Sequence, residues 1–464
     1  MGLIVTLNAI VGVSLVALAL AGCTMQPAYV RPPVAMPKGW QGAEAQGGTQ
    51  PAGPSRAWWL DFGDVTLDDL EETALANNHD LKAALSRIAQ ARATARIADS
   101  TLYPTVDAKL HGERRSRLSG AARSNVFDAD LSAVYDADLW GGLRSSRRAA
   151  QAGVLAASQA SANVALVLTS DVAGSYLELA LLDQRIDLAH QNVAAAQRID
   201  AIVETRYRAG AVSELDAAQS KTSLANIEAA VPALEQTRRE TLNALAILVG
   251  KIPSELTVQP PPLTHLAVPA AVYVGMPSEL LQRRPDIRQA EAILMEAHAN
   301  IGAARALLFP SILLTGQGGY VSDQLSSLVR SSNGMLTLGA SVLAPIFHGG
   351  SLRANVDRST ERYNEVLQQY QQTILAALRD VESALVDVQK LDAQETLLRE
   401  AERQAKRAFE LAEIRYRSGA IDAITMLNAQ NTWLNLQNSV LQTHFGRLSA
   451  LVSLIRALGG GGQD

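Results

Sequence analysis

Apolar positions along this chain follow two different periods, and the two alternate in order. From about Ser146 to Arg206 apolar residues return every three or four positions, through Val164, Leu168, Val172, Leu179, Leu182, Ile186, Ala189, Val193 and Ala196. This spacing predicts a helix with one apolar stripe, and no proline interrupts the run. About 60 residues rising about 1.5 Å each make a rod of roughly 90 Å. A second run of the same kind extends from about Leu352 to Arg415. Helices so much longer than average, with this spacing, predict coiled-coil-like packing along their length.

The segment ahead of each long run has a period of two. In Phe127-Asp128-Ala129-Asp130-Leu131-Ser132-Ala133-Val134-Tyr135-Asp136-Ala137-Asp138-Leu139 the odd positions are apolar and the even ones mostly acidic or polar. That pattern predicts a strand with one oily and one wet face. Its hairpin partner is expected from Pro104 to about Glu113, across a polar loop from Arg114 to Ser124. A second hairpin is expected from Ser311 to Tyr320 and Met335 to Phe347, with a polar connector from Ser322 to Gly334.

These paired patterns are two copies of one unit. Leu102-Tyr103-Pro104 returns as Leu308-Phe309-Pro310, and Arg206-Tyr207-Arg208-Ala209-Gly210-Ala211 returns as Arg415-Tyr416-Arg417-Ser418-Gly419-Ala420. Between these anchors Asp171-Val172 is answered by Asp380-Val381 and Leu182-Asp183 by Leu391-Asp392. An ordered correspondence at this separation indicates a large repeated unit rather than a short solenoid repeat. Each unit reads as helix, two strands, long helix, turn, returning helix.

The start of the chain has its own logic. Gly2 to Gly22 is an apolar stretch ending in Leu20-Ala21-Gly22-Cys23, around the only cysteine. This resembles the lipobox of a bacterial lipoprotein signal, in which cleavage precedes a cysteine that is then acylated. Each buried acyl methylene contributes about 0.8 kcal/mol to anchoring. An uncleaved membrane helix is the competing reading, because no Lys or Arg precedes Val30 and a signal normally opens with positive charge. The expected segments are a signal peptide 1–22, an acylated tether 23–63, a helical region 64–103, a hairpin 104–145 and a long helical hairpin 146–250. A linker 251–276 then leads to the second copy: helical 277–310, hairpin 311–351, helical hairpin 352–458 and a tail 459–464.

Composition and charge remove several function classes. The chain has 464 residues, only 5% of them aromatic, and a net charge of -5, so no basic surface supports a nucleic-acid role. The seven histidines (His79, His111, His190, His265, His298, His348 and His444) include no pair at metal-ligand spacing. No nucleophile stands with a base and no glycine loop suits a phosphate, so the pattern supports neither an enzyme nor a metal or cofactor site. Methionine is sparse and unclustered.

A soluble sheet would alternate in the same way. Here the oily faces carry little bulk, no other domain is available to cover them, and the N-terminus predicts a membrane anchor. Strands of about ten residues can cross an outer membrane. Open edges are not tolerated in lipid, and barrels need about eight strands or more. Four strands therefore require several copies of the chain, in a number the residues leave open.

At this point the order of motifs resembles a family. The lipobox, Tyr29-Val30-Arg31-Pro32, Trp58-Trp59 to Phe62, Arg206-Tyr207 to Gly210 with Ser213-Glu214-Leu215-Asp216, and Pro277-Ser278-Glu279-Leu280-Leu281-Gln282-Arg283-Arg284-Pro285-Asp286-Ile287 together resemble the TolC-type outer-membrane factors of tripartite efflux systems, in their OprM/NodT-like lipoprotein branch. The resemblance implies a mainly α fold with a membrane β-barrel portion: a homotrimer whose four strands per chain close a twelve-stranded barrel, continuous with a periplasmic α-helical barrel. It implies a passive exit duct for small molecules, in the outer membrane, working with a periplasmic adaptor and an inner-membrane RND pump. Rival readings are a type I protein-secretion channel and a pore-less periplasmic lipoprotein.

The resemblance also assigns residues. Cys23 would carry the lipid. The turns at Arg206, Tyr207 and Gly210 and at Arg415, Tyr416 and Gly419 would form the periplasmic tip and meet the adaptor, although the arginines could instead only cap helix carbonyls. The periplasmic gate would lie at Ile424, for an apolar ring, and Asn428, where the family carries aspartate. Asparagine removes the charge; Thr425 stands where some relatives have another acid, leaving Asp422 and Asp216 as the nearby carboxylates. Asp128, Asp130, Asp136 and Asp138 would face the barrel lumen, either favouring cations or serving simply as the wet face.

Overall fold

The computed structural model describes residues 28–41, 57–116, 123–267 and 274–460. Cys23 and the expected signal lie outside the described residues. Eleven principal elements follow one another: α1 Val65–Asn77, α2 His79–Ser100, β1 Thr105–Ser116, β2 Arg123–Asp136, α3 Gly142–Arg208, α4 Glu214–Leu248, α5 Pro285–Ala306, β3 Ser311–Ser322, β4 Gly334–Leu343, α6 Ser351–Arg417 and α7 Ala423–Ala457. The halves match in length as well as order: α3 and α6 each have 67 residues, and α4 and α7 each have 35. The two halves therefore repeat helix lengths as well as helix order.

The chain divides into two compact units. One contains the sheet with its flanking helix segments, residues 86–159 and 289–372, and the N-terminal strap up to Val34. Its four strands form one antiparallel sheet in the order β1-β2-β3-β4, so β1 and β4 are open edges. The register puts Lys109 across from Asp130 and His111 across from Asp128. It also aligns Leu131 with Gly318 and Gly318 with Leu336, which gathers the apolar side chains on one face. That face is the uncovered one: Leu110 is 85% exposed and Leu338 78%, whereas Asp130 on the opposite face is 8% exposed. A soluble sheet would hide the leucines and wet the aspartate.

Several strand boundaries differ from the sequence expectation. The first hairpin is longer, since Arg114 to Ser116 and Arg123 to Ser124 pair as strand rather than loop. Its second strand stops at Asp136, three residues before Leu139. Asp138 adopts a left-handed φ of 39°, and its carboxylate accepts from the amides of Leu143 at 2.9 Å and Arg144 at 3.0 Å, starting α3. The alternation simply continues by chance into a helix cap. β4 ends at Leu343, short of Phe347, just before Pro345, which lacks the amide a ladder requires. The strap is tied rather than loose. Arg31 makes a two-pronged ion pair with Glu291 at 2.6 and 2.7 Å, and Tyr29 packs edge-on against His298.

The other unit comprises residues 35–85, 160–288 and 373–464. Asp64 caps α1 by accepting from Thr66 and Leu67, and also accepts from the Tyr176 hydroxyl at 2.9 Å. Trp58, Phe62, Leu67, Leu177, Leu245 and Leu263 are buried in one apolar core. α3 is long and apolar enough to cross a bilayer. Its stripe through Leu168, Val172 and Leu179 is instead spent on this core.

Candidate functional site

The acid-bearing strand resolves into four different situations. Asp128 pairs with Lys109 at 3.4 Å and lies 3.0 Å from the ring nitrogen of His111, both on β1. The Asp130 carboxylate has no ion pair or hydrogen bond among the described residues, although its backbone is paired in the sheet. Asp136 accepts from the Asp138 amide at 3.1 Å. Asp138, expected in the lumen row, lies beyond the strand and pairs with Arg144 at 3.2 Å. The row of four free acids is thus reduced to one unpaired carboxylate, because three are committed to local partners.

The two helix-to-helix turns are built alike. After α3, Gly210 takes φ 70°, and the amide of Ala211 donates to Arg206 O at 2.9 Å. After α6, Gly419 takes φ 78°, and Ala420 donates to Arg415 O at 2.8 Å. These are left-handed C-terminal caps, for which glycine carries no steric cost. The returning helices start differently. Ser213 and Asp216 form a reciprocal capping box before α4, with Asp216 accepting from the Ser213 amide and hydroxyl. Asp422 alone caps α7, accepting from the Thr425 amide at 2.9 Å, and bonds from the Thr425 side chain and amide hold its carboxyl below the usual range.

Identical local sequences at the turns have unequal environments. Tyr207 is 39% exposed, but Tyr416, expected at the adaptor-facing surface, is 2% exposed. It sits in a small core with Ile199, Val203, Phe409, Ala423, Met426 and Leu427. The Arg206 guanidinium lies 4.7 Å from the centre of its ring and donates to Arg417 O at 2.7 Å, so Arg206 caps the neighbouring helix while covering Tyr416. Arg415 remains exposed. Sequence reading missed the partners of this clamp, because the contact joins residues about two hundred positions apart.

The expected gate residues occupy the first turns of α7. Ile424 is 40% exposed, and Thr425 and Asn428 are exposed. The two acids expected to replace the missing aspartate, Asp216 and Asp422, are both engaged in caps. Trp433, two turns further along α7, was not anticipated. It stacks on Phe409 at 5.4 Å and donates to Glu402 at 2.7 Å, locking α7 onto α6.

A sheet with its oily face outward, combined with two long helical hairpins ending in capped turns, defines a membrane channel protein of the bacterial envelope. The chain belongs to the outer membrane efflux protein family, whose model matches residues 70–251 and 276–460. It is 38% identical over 458 residues to the pyoverdine export outer membrane protein OpmQ of Pseudomonas aeruginosa, covering 96% of both chains. It is 32% identical to the cation efflux system protein CusC of Escherichia coli, covering 97% of this chain and 98% of that one. Among solved structures, the outer-membrane channel OprN superposes with a TM-score of 0.89 at 28% identity, over 95% of this chain and 99% of the other. The open state of the Neisseria gonorrhoeae MtrE channel gives 0.86 at 30% identity, over 95% and 98%. The fold is that of TolC-type channels, and the protein is an outer-membrane efflux channel extending into the periplasm.

Proposed function

We propose that three copies of this chain form one passive duct that carries small molecules outward, fed by an inner-membrane RND pump through a periplasmic adaptor. The observation that carries this reading is the open four-stranded sheet with its apolar face uncovered. Unpaired edges are excluded from lipid, and four strands are too few to close. Three copies supply twelve strands, enough to close a barrel around the face that holds Asp128 and Asp130. The helical turns then form the periplasmic end, where Tyr207, Gly210, Arg415 and Gly419 offer exposed surface to the adaptor and Ile424, Thr425 and Asn428 narrow the opening. Asn428 puts an amide at that constriction in place of a carboxylate. Cys23 carries the acyl anchor in outer-membrane lipid.

The cargo is set by the pump. Relatives are named for export of pyoverdine, toluene and cations on the same channel type, so the duct wall tolerates varied chemistry. The test is light-scattering mass of the detergent-solubilised protein together with planar-bilayer conductance. A particle of three protomers that conducts is the expected result; a monomer, or a trimer without conductance, overturns the duct. Metabolic labelling with palmitate of wild type and Cys23→Ala checks the anchor, and a susceptibility panel in a deletion strain reads the cargo.

A further inference from the structure

α3, α4 and α7 border a groove of about 460 Å³ whose lining is chemically selective. Five asparagines reach it, Asn192, Asn226, Asn431, Asn435 and Asn438, together with Arg185; the remaining lining is small or apolar apart from one threonine. No carboxylate lines it among the described residues. Asn192 is only 8% exposed, and its side-chain amide lines the groove and makes no hydrogen bond among the described residues.

Arg185 is the second unusual feature. Its Nε donates to Asn438 Oδ1 at 3.3 Å, and it forms no ion pair among the described residues. The acid two positions before it, Asp183, is held by Arg238. A guanidinium has five donors, so most of this one's hydrogen-bonding capacity is unspent. Its planar fork matches a carboxylate. Asparagine side chains offer a donor and an acceptor each, the same pair an amide offers in return. The volume lies in the range of small-molecule sites.

The geometry points to a binding site for small carboxylate-bearing, amide-rich solutes, with the carboxylate on Arg185 and the amides on Asn192 and Asn435, while Asn438, which also donates to Leu434 O at 3.1 Å, holds Arg185 in place. The site goes beyond the duct reading and does not depend on conductance. The test uses the full chain in detergent and two calorimetric probes, N-acetyl-alanyl-alanine and its C-terminal amide. The acid binds about tenfold more tightly than the amide, the effect of one charge-assisted pair. Arg185→Gln brings the two probes together, while Arg185→Lys retains part of the preference. Asn192→Leu, close in volume, weakens both probes, with thermal melts confirming that each variant is folded. The inference is overturned by equal binding of acid and amide to the wild type, by a preference that survives Arg185→Gln, or by no binding of either probe in the millimolar range.

Discussion

Glu71 is fully buried on α1, and neither of its carboxylate oxygens has a hydrogen-bond partner among the described residues. Burial, reinforced by nearby Asp68, pushes its carboxyl up to about 9. Unfolded, the group ionises near 4.5, so between about pH 4.5 and 9 the folded state holds a proton that the unfolded state has lost. The sign follows: Glu71 lowers stability progressively as pH rises through that window. At pH 7.5 the cost is on the order of 4 kcal/mol, at about 1.4 kcal/mol per unit. Glu71→Gln removes the charge and keeps the shape. Melting temperatures at pH 5 and pH 8 are therefore expected to lie closer together in the variant than in the wild type, and an unchanged spacing contradicts the argument. Ile424 presents the opposite case, a residue whose side chain contributes little to its own core because 40% of it is exposed. Ile424→Gly is expected to leave folding nearly intact and to open the constriction. A strain carrying it should become sensitive to vancomycin, and wild-type resistance would remove Ile424 from the gate.

At the scale of elements, the turns show what packing adds to a repeated sequence. Arg206-Tyr207 and Arg415-Tyr416 are indistinguishable locally, yet only Tyr416 is enclosed, since Arg206 crosses to cover it and to cap the last turn of α6. Arg206→Ala loses a cation–π contact and a charged hydrogen bond, together on the order of 1–2 kcal/mol. Tyr207→Ala, at an exposed position, is expected to change stability by no more than about 0.5 kcal/mol. Chemical denaturation of the two variants should separate them, and equal losses would mean the clamp is idle. The same distinction explains what could be read in advance. The long helices were legible to within about four residues because their apolar period is uninterrupted, and the caps at Gly210 and Gly419 because glycine is required for a left-handed residue. The end of β2 was not legible, as Asp136-Ala137-Asp138-Leu139 keeps the strand alternation while Asp138 serves the next helix. The Arg206 clamp and the strap pair Arg31–Glu291 depend on partners distant in sequence, which local periodicity does not encode.

At the scale of the whole molecule, the sheet decides where the protein resides. Its two faces differ in character at adjacent positions of β4: Leu338 lies opposite Gly316 on the apolar face, and Thr337 lies opposite Gln317 on the face of the aspartates. In a barrel closed by several copies, the first faces lipid and the second faces water. A lysine near the middle of the lipid face costs about 2–4 kcal/mol in each chain, and much less on the lumen side. Leu338→Lys is therefore expected to deplete the outer-membrane fraction and the heat-modifiable oligomer, while Thr337→Lys inserts normally and shifts only the ion selectivity of the pore. A soluble sheet makes the reverse demand, because there the exposed leucine tolerates lysine at no cost. Equal insertion of both variants would place the oily face against water or protein, and the sheet could then no longer be the membrane-crossing part of the channel.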